Sequence, residues 1–244
     1  MAAGPAENYQ DRRATITNKP TILIVGASRG LSLALVEQFC SRDWHVIGTV
    51  RIKSAVLDDL KAHFPASLEE ETADIADEAS VRTLHQRLNG RTLDMLFVNA
   101  GIAKSINETP GTAPVQDFLD MMLINAFSPI RLIEMFEDIV AQNGTIAAMS
   151  SELGSITGNN GSWDLYASSK AALNMLMKCY TAHRPNDRRA KLVVAPGWIQ
   201  TDMGGSEATY TVEECIPRVV DMLEKNHGKP GLRYVDRFDK TLPW

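Results

Sequence analysis

Five short runs, TILIV at 21–25, HVIGTV at 45–50, LDMLFV at 93–98, GTIAAMS at 144–150 and KLVVA at 191–195, are apolar almost throughout. Longer segments with helical spacing of their apolar residues separate them. This alternation constrains the fold most. A strand with one wet face shows alternating polarity, whereas an unbroken apolar run fits a strand covered on both faces. Parallel strands need crossovers long enough to hold a helix, and the segments at 30–41, 54–63, 77–89, 116–141, 164–183 and 212–226 have that length. LRYVDRF at 232–238 reads as a last strand. The stretch 68–74 reads as a weak third strand, too acidic for pattern to fix. The expected fold class is α/β, one doubly wound parallel sheet with helices on both faces.

A chain of 244 residues with 44% apolar content can bury one sizeable core. Nothing in composition divides residues 20–244, so they are expected to form one domain behind a polar, flexible arm at 1–19. The arm has no apolar core of a secretory signal. Its Arg12-Arg13 pair is followed only by TILIVGA, too short for a twin-arginine export signal and better used as a strand. The formal net charge of −5 argues against nucleic acid or an anionic membrane as partner. Cys40, Cys179 and Cys215 are scattered and odd in number, which argues against a disulfide framework and for the cytoplasm. No histidine or cysteine spacing suggests a metal site, and no apolar run approaches the ~20 residues that span a bilayer.

VGASRGLS follows the first strand. Gly26 and Gly30 bracket a tight turn into a helix, which would aim the backbone of Gly26, Ser28, Arg29, Gly30 and Leu31 at an anion, with the helix N-terminus adding its positive end. The spacing is G-x-x-x-G-x-S, and Ser32 stands where a third glycine would allow close helix packing. By itself such a turn is as often merely structural. The second strand ends TVRIK, with Arg51 where an acidic residue would hold a ribose and Lys53 beyond it. Arg29 and Arg51 could bracket a 2′-phosphate, so NADP(H) is preferred over NAD(H), although most arginines are simply solvated.

FVNAG ends another strand, placing Asn99, Ala100 and Gly101 where ligands of open α/β sheets sit. In MMLINAFSPIRLIEMF, Pro129 cannot donate to the carbonyl of Asn125, so the helix should bend there and free that oxygen. Such a bend could equally serve only to curve the helix around the core. MSSELGS puts Ser150 and Ser151 at a strand end, where a hydroxyl could bond a substrate carbonyl or merely form a turn. Tyr166 and Lys170 share one helix face. A phenol of pKa ~10 becomes a useful acid–base group if shifted by ~3 units, about 4 kcal/mol, which a close ammonium and a cationic nicotinamide could supply. As a surface pair the two would be worth only ~0.3–0.5 kcal/mol.

Taken together and in order, GASRG, Asp74-Ile75, VNAG, Asn125, the serine pair, YASSK and PGWIQT resemble the short-chain dehydrogenase/reductase family, a Rossmann-like fold, from about residue 21 to the end. PGWIQTDMGG and LPW resemble its C-factor-type carbonyl reductases. The resemblance implies that Tyr166 is the general acid in reduction and the base in oxidation. Lys170 would hold the nicotinamide ribose and lower the tyrosine pKa, Ser151 would orient the carbonyl, and Asn125 would hold a water linking Lys170 to solvent. Asp74 and Ile75 would border the adenine, and Pro196, Gly197, Ile199 and Thr201 the nicotinamide and phosphates. Ser151 precedes Tyr166 by more than the family's usual spacing, so the intervening loop must bulge, and Ser150 is the alternative serine.

The segment after PGWIQT is short, which suggests an open substrate pocket, with Leu153, Trp163, Trp198 and Met203 as candidate lining and bulky or aromatic ketones as the favoured class. Those aromatics could equally be packing. The helices at 116–141 and 164–183 would pair between subunits, as in relatives, giving a homodimer or homotetramer. The expected function is NADP(H)-dependent carbonyl reduction. The alternatives are a non-enzymatic NADP(H) sensor or signalling protein on the same fold, and a sugar-nucleotide epimerase, for which the chain is too short.

Overall fold

The structure is a computed structural model that describes residues 19–244. Seven strands pair in parallel throughout: β1 (Thr21–Val25), β2 (His45–Val50), β3 (Leu68–Thr72), β4 (Leu93–Val98), β5 (Val140–Met149), β6 (Ala190–Ala195) and β7 (Gly231–Asp236), in the spatial order β3-β2-β1-β4-β5-β6-β7. The helices are α1 (Gly30–Ser41), α2 (Ala55–His63), α3 (Glu78–Arg87), α4 (Val115–Met122), α5 (Ser128–Phe136), α6 (Asp164–Ala182) and α7 (Val212–Asn226). The doubly wound α/β fold read from the sequence is the fold observed. Of the expected arm, only Lys19 lies within the described residues, where it pairs with Asp43 at 2.6 Å.

The apolar runs are explained by two cores, one on each face. Leu23, Val25, Leu96, Val98, Ile146 and Ala148 point into a core closed by α3, α5 and α6. Their neighbours Ile22, Ile24, Met95, Phe97, Ala147 and Met149 point into a second core under α1 and α7. Successive strand side chains face opposite ways, so a strand buried twice has no position free for a polar residue.

The segment 68–74 does hold a strand, β3, at the sheet edge. Two of its acidic side chains form ion pairs, Glu69 with Arg91 at 2.7 Å and His45 at 3.0 Å, and Glu71 with Arg87 at 2.7 Å, while Glu70 Oε2 is buried without a partner. The single helix expected over 116–141 is instead α4 and α5 joined by a π turn at Leu123–Phe127. It stops at Phe136, and β5 starts at Val140, earlier than expected. Val140 pairs with Leu93 before a register shift to Met95–Thr145. Gly144 sits in that irregularity, where a Cβ would lie 2.8 Å from the Asp94 carbonyl oxygen and 2.9 Å from that of Ala141. A continuous helical apolar pattern concealed this change of structure, because Val140 is buried in either conformation.

The chain runs outward from β1 to β3, then crosses back to β4 on the other side. The loops after β1 and β4 therefore diverge and leave a crevice at the strands' C-terminal ends. Gly26 opens that crevice with φ +89, and a Cβ there would lie 2.9 Å from both Cα and Cβ of Ala100. Gly26→Ala is therefore expected to lower stability by about 2 kcal/mol or more, read from urea unfolding, because the position is both left-handed and closely packed. An unchanged midpoint would contradict this packing.

Candidate active site

The C-terminal ends of β1, β2, β4, β5 and β6 and the turn after β3 open on one cleft of about 880 Å³. On its β2–β3 side stand Arg51, Asp74 and Ile75, and at its centre the turn Gly26, Ser28, Arg29, Gly30 and Leu31. Asn99, Ala100 and Gly101 follow β4, Ser151 and Leu153 follow β5, and Pro196, Gly197, Trp198, Ile199, Thr201 and Met203 follow β6. Trp163, Tyr166 and Lys170 enter from the start of α6. Every site residue expected from the sequence borders this cleft except Asn125, which is fully buried behind it.

The glycine turn is tied to the neighbouring strand and leads into an uncapped helix start. The backbone N–H of Gly26 donates to Thr49 Oγ1 at 3.0 Å and that of Ala27 to the Thr49 carbonyl at 2.7 Å, tying the turn to β2. Arg29 at the N-cap of α1 makes no side-chain cap bond, and the first turn has no acidic residue. The helix's first N–H groups therefore lack a capping side chain and carry the positive end of the dipole. Ser32 is buried and accepts a hydrogen bond from Asn99 Nδ2, so the serine in place of a third glycine links α1 to β4. Asn99 Oδ1 is buried without a partner in the chain. An uncapped helix start, a turn that tolerates no Cβ and an orphan acceptor fit a bound dinucleotide.

Around the β2–β3 side, Arg131 of α5 donates to the carbonyls of Ile75 at 3.2 Å and Ala76 at 3.1 Å, fixing the turn after β3. Arg51 is exposed at the cleft. Arg29 Nη1 lies 3.1 Å from Asp202 Oδ2, with both side chains largely in solvent. Asp202 was not foreseen; its place at the rim depends on how the loop after β6 folds. That loop is held to itself, Trp198 Nε1 donating to the Gly204 carbonyl at 2.9 Å and Gln200 Nε2 to that of Ala208 at 3.0 Å.

Tyr166 is 8% and Lys170 3% exposed, so both expensive groups are buried. Lys170 Nζ lies 5.7 Å from the Tyr166 ring centroid and donates to the Met149 carbonyl at 2.9 Å. Burial pushes the Tyr166 phenol above its usual range, and the Ser151 hydroxyl acts against that rise. Burial also lowers the Lys170 ammonium to about 8. Within the protein alone, desolvation outweighs any help the phenolate gains from its neighbours.

The two serines divide clearly. Ser150 is buried and donates to Asn174 Oδ1 at 2.7 Å, so its hydroxyl is committed. Ser151 is partly exposed and sits beside the phenol, its Oγ accepting from the Leu153 N–H at 3.2 Å. The long spacing to Tyr166 is absorbed by a 3₁₀ turn at Glu152–Gly154 and a loop in which Asn159 Nδ2 donates to the Leu153 carbonyl at 3.0 Å. Trp163 closes the loop in a left-handed conformation, φ +55, and meets the Tyr166 ring edge-on at 5.5 Å.

Pro129 produces a π turn rather than a simple bend: the Ser128 N–H donates to the Leu123 carbonyl, one residue further back than in an α-helix. The Asn125 side chain is held from three sides. Its Oδ1 accepts from the Ile102 N–H at 2.8 Å, and its Nδ2 donates to the Ile102 carbonyl at 2.8 Å and to Ser169 Oγ at 2.9 Å. Asn125 thus fixes the loop segment after Gly101. A Cβ on Gly101 would lie 3.3 Å from Asn125 Oδ1 and 3.4 Å from Lys170 Nζ, so the three meet at one point.

The short-chain dehydrogenase family model matches residues 20–210, and the chain belongs to that family of oxidoreductases. A short-chain dehydrogenase/reductase from Burkholderia multivorans, solved with bound NADP, is 42% identical with a TM-score of 0.91, over 93% of this chain and 100% of its own. A carbonyl reductase from Pseudomonas aeruginosa PAO1 in complex with NADP is 31% identical with a TM-score of 0.84, over 93% and 100%. C-signal from Myxococcus xanthus is 30% identical over 158 residues, 62% of this chain and 93% of its own, in keeping with the C-factor resemblance. Among the described residues no cluster of His, Cys, Asp and Glu is placed to hold a metal, and no helix is long and apolar enough to cross a membrane.

The depressed Lys170 pKa has a consequence for stability. Below about 8 the lysine is charged in both folded and unfolded chains, and its burial cost is constant. Between about 8 and the ordinary 10.5 the unfolded chain binds the extra proton, so stability rises with pH over that window. Without added nucleotide, Lys170→Met is expected to be more stable than the parent at pH 7, by an amount on the order of 1–3 kcal/mol. The gap should narrow from pH 8 upward in chemical unfolding curves. A gap that widens would reverse the sign.

Proposed function

We propose that this chain reduces ketones or aldehydes with NADPH, Tyr166 giving the proton and Ser151 holding the carbonyl oxygen. The observation that carries this reading is the convergence of Ser151, Tyr166 and Lys170 on the cleft that also contains the uncapped start of α1. The relatives solved with NADP support the same cofactor. The turn Gly26, Ser28, Arg29, Gly30 and Leu31 would hold the pyrophosphate, with Thr201 and Ile199 across from it. Asp74 and Ile75 would border the adenine. Asn99, Ala100, Gly101, Pro196 and Gly197 would hold the nicotinamide half. Arg29 and Arg51 would meet a 2′-phosphate, which favours NADPH over NADH.

When bound, the nicotinamide supplies the hydride. The chain's own residues place and polarise the carbonyl and supply the proton. Tyr166, kept protonated by burial, donates its O–H to the carbonyl oxygen as negative charge grows there. The Ser151 hydroxyl bonds the same oxygen and stabilises that charge. Lys170 would bond the ribose hydroxyls, and its cation favours the phenolate that remains; Asn125 would seat a water through which the site is reprotonated. The reverse reaction uses the same groups, with Tyr166 taking the proton. Leu153, Trp163, Trp198 and Met203 give the substrate a mostly apolar wall, suited to a neutral carbonyl with a bulky or aromatic flank.

Consumption of NADPH and NADH at 340 nm against benzil, phenanthrenequinone, benzaldehyde and an aliphatic ketone tests this reading. Turnover with NADPH exceeding that with NADH is expected, and Arg51→Ala and Arg29→Ala should narrow that difference. Tyr166→Phe should lose at least ~10²-fold in kcat while keeping NADPH binding by fluorescence. NADPH binding with no turnover across the panel would instead support the non-enzymatic sensor.

The chain also acts as a homodimer or homotetramer, paired through α4, α5 and α6. Val115, Leu119, Leu123 and Phe127 form an exposed apolar stripe there, 71, 51, 39 and 53% exposed, and Met175 of α6 is exposed beside it. Charge in that stripe should separate the subunits: Phe127→Glu is expected to halve the mass measured by light scattering. A monomeric parent chain would remove this assignment. The free thiols of Cys40, Cys179 and Cys215 suit the cytoplasm.

A further inference from the structure

We propose that Tyr234 is a positioning residue for Ser151, its hydroxyl fixing the turn that presents the serine side chain to Tyr166. The inference rests on the role assigned above to Ser151. Tyr234 lies on β7, remote in sequence from the motifs of the site, and is 1% exposed. Its hydroxyl donates to the Ser151 carbonyl oxygen. The same oxygen accepts from the Gly154 N–H at 2.9 Å, so both of its lone pairs are used. A buried phenol needs a partner, and this one is aimed at the backbone of the single residue whose side chain must be placed.

The flanking positions are clamped from the other side by Asn174. Its Oδ1 accepts from Ser150 Oγ at 2.7 Å, and its Nδ2 donates to the Gly154 carbonyl at 3.1 Å. Ser150, Ser151 and Gly154 are thus held by α6 and β7 together, and the Ser151 hydroxyl is left to the cleft. Tyr234 is in turn held by the segment 240–244, which doubles back along β7. The Leu242 N–H donates to the Tyr234 carbonyl at 2.8 Å, and the Trp244 ring packs on the Tyr234 ring at 5.4 Å and 32°. The Trp244 carbonyl accepts from Thr157 Oγ1 at 3.2 Å, joining this segment to the loop between Ser151 and Tyr166. Burial raises the Tyr234 phenol to about 12, so it remains a donor at any working pH.

The test is a double-mutant cycle of Tyr234→Phe and Ser151→Ala, assayed with NADPH and the fastest carbonyl of the panel. Tyr234→Phe keeps the ring and removes only the bond. A fall in kcat of about tenfold is expected, with the NADPH dissociation constant unchanged, because small displacements of an orienting group cost rate more than affinity. In the Ser151→Ala background the same substitution should change kcat by less than about twofold. Amide exchange at Leu153 and Gly154, read without turnover, should quicken.

If Ser151→Ala loses activity while Tyr234→Phe stays within about twofold of the parent, Tyr234 has no positioning role and the reading of Ser151 stands. Equal losses from Tyr234→Phe in both backgrounds would show that it acts independently of Ser151, and would also overturn the proposal. Full activity in Ser151→Ala would remove both. Should Tyr234→Phe fold poorly, Trp244→Leu tests the same chain of contacts from further out, with the same fall in kcat at unchanged NADPH affinity expected and parental kcat overturning it.

Discussion

The bond from the Lys170 ammonium to the Met149 carbonyl ties α6 to the last residue of β5, and the geometry of the site follows from it. Tyr166, Lys170 and Asn174 are spaced four apart and share one helix face. Tyr166 lies beside the Ser151 hydroxyl, Lys170 meets Met149, and Asn174 meets Ser150 and Gly154. One helix face therefore reads out, residue by residue, the end of one strand. The approach is close enough that a Cβ on Gly154 would lie 3.0 Å from the Lys170 backbone carbon. A glycine two residues beyond Glu152 is thus a requirement of the contact rather than of the turn alone.

How much of this was legible depended on whether a feature was local. The central strands were readable because burial on both faces leaves them no polar position, and the glycine turn because it joins a strand to a helix. The edge strand β3 was obscure because Glu69 and Glu71 owe their place to Arg87, Arg91 and His45, none of them nearby in the pattern. The break between α5 and β5 was concealed because Val140 and Ile139 are apolar for strand and helix alike. Tyr166, Lys170 and Ser151 are weak signals singly and could be singled out because their order along the chain resembles that of the short-chain dehydrogenase/reductase motifs. Asn174 continued the same helical face and could have been found by extending it one turn. Tyr234 could not, since only the pairing of β7 with β6 and the return of residues 240–244 bring it to Ser151.

Burial has opposite effects on the two central ionisable groups, and this sets how the site works. Desolvation raises the Tyr166 phenol and lowers the Lys170 ammonium, moving the two pKa values away from a charged phenolate–ammonium pair and toward a neutral phenol. A neutral phenol is the form that donates a proton to a carbonyl. In the reduction proposed above, the buried Tyr166 would therefore meet the substrate oxygen as a neutral acid. Giving that proton up is the harder half of the proposed cycle, because it leaves a buried phenolate, and the cost falls to groups that stabilise the phenolate while it exists. The Ser151 hydroxyl is one of these, since it bonds an anionic oxygen more strongly than a neutral one. Its orientation therefore affects the barrier more than the binding of either substrate. A side chain with that duty needs a fixed backbone, and the fully engaged Ser151 carbonyl provides it.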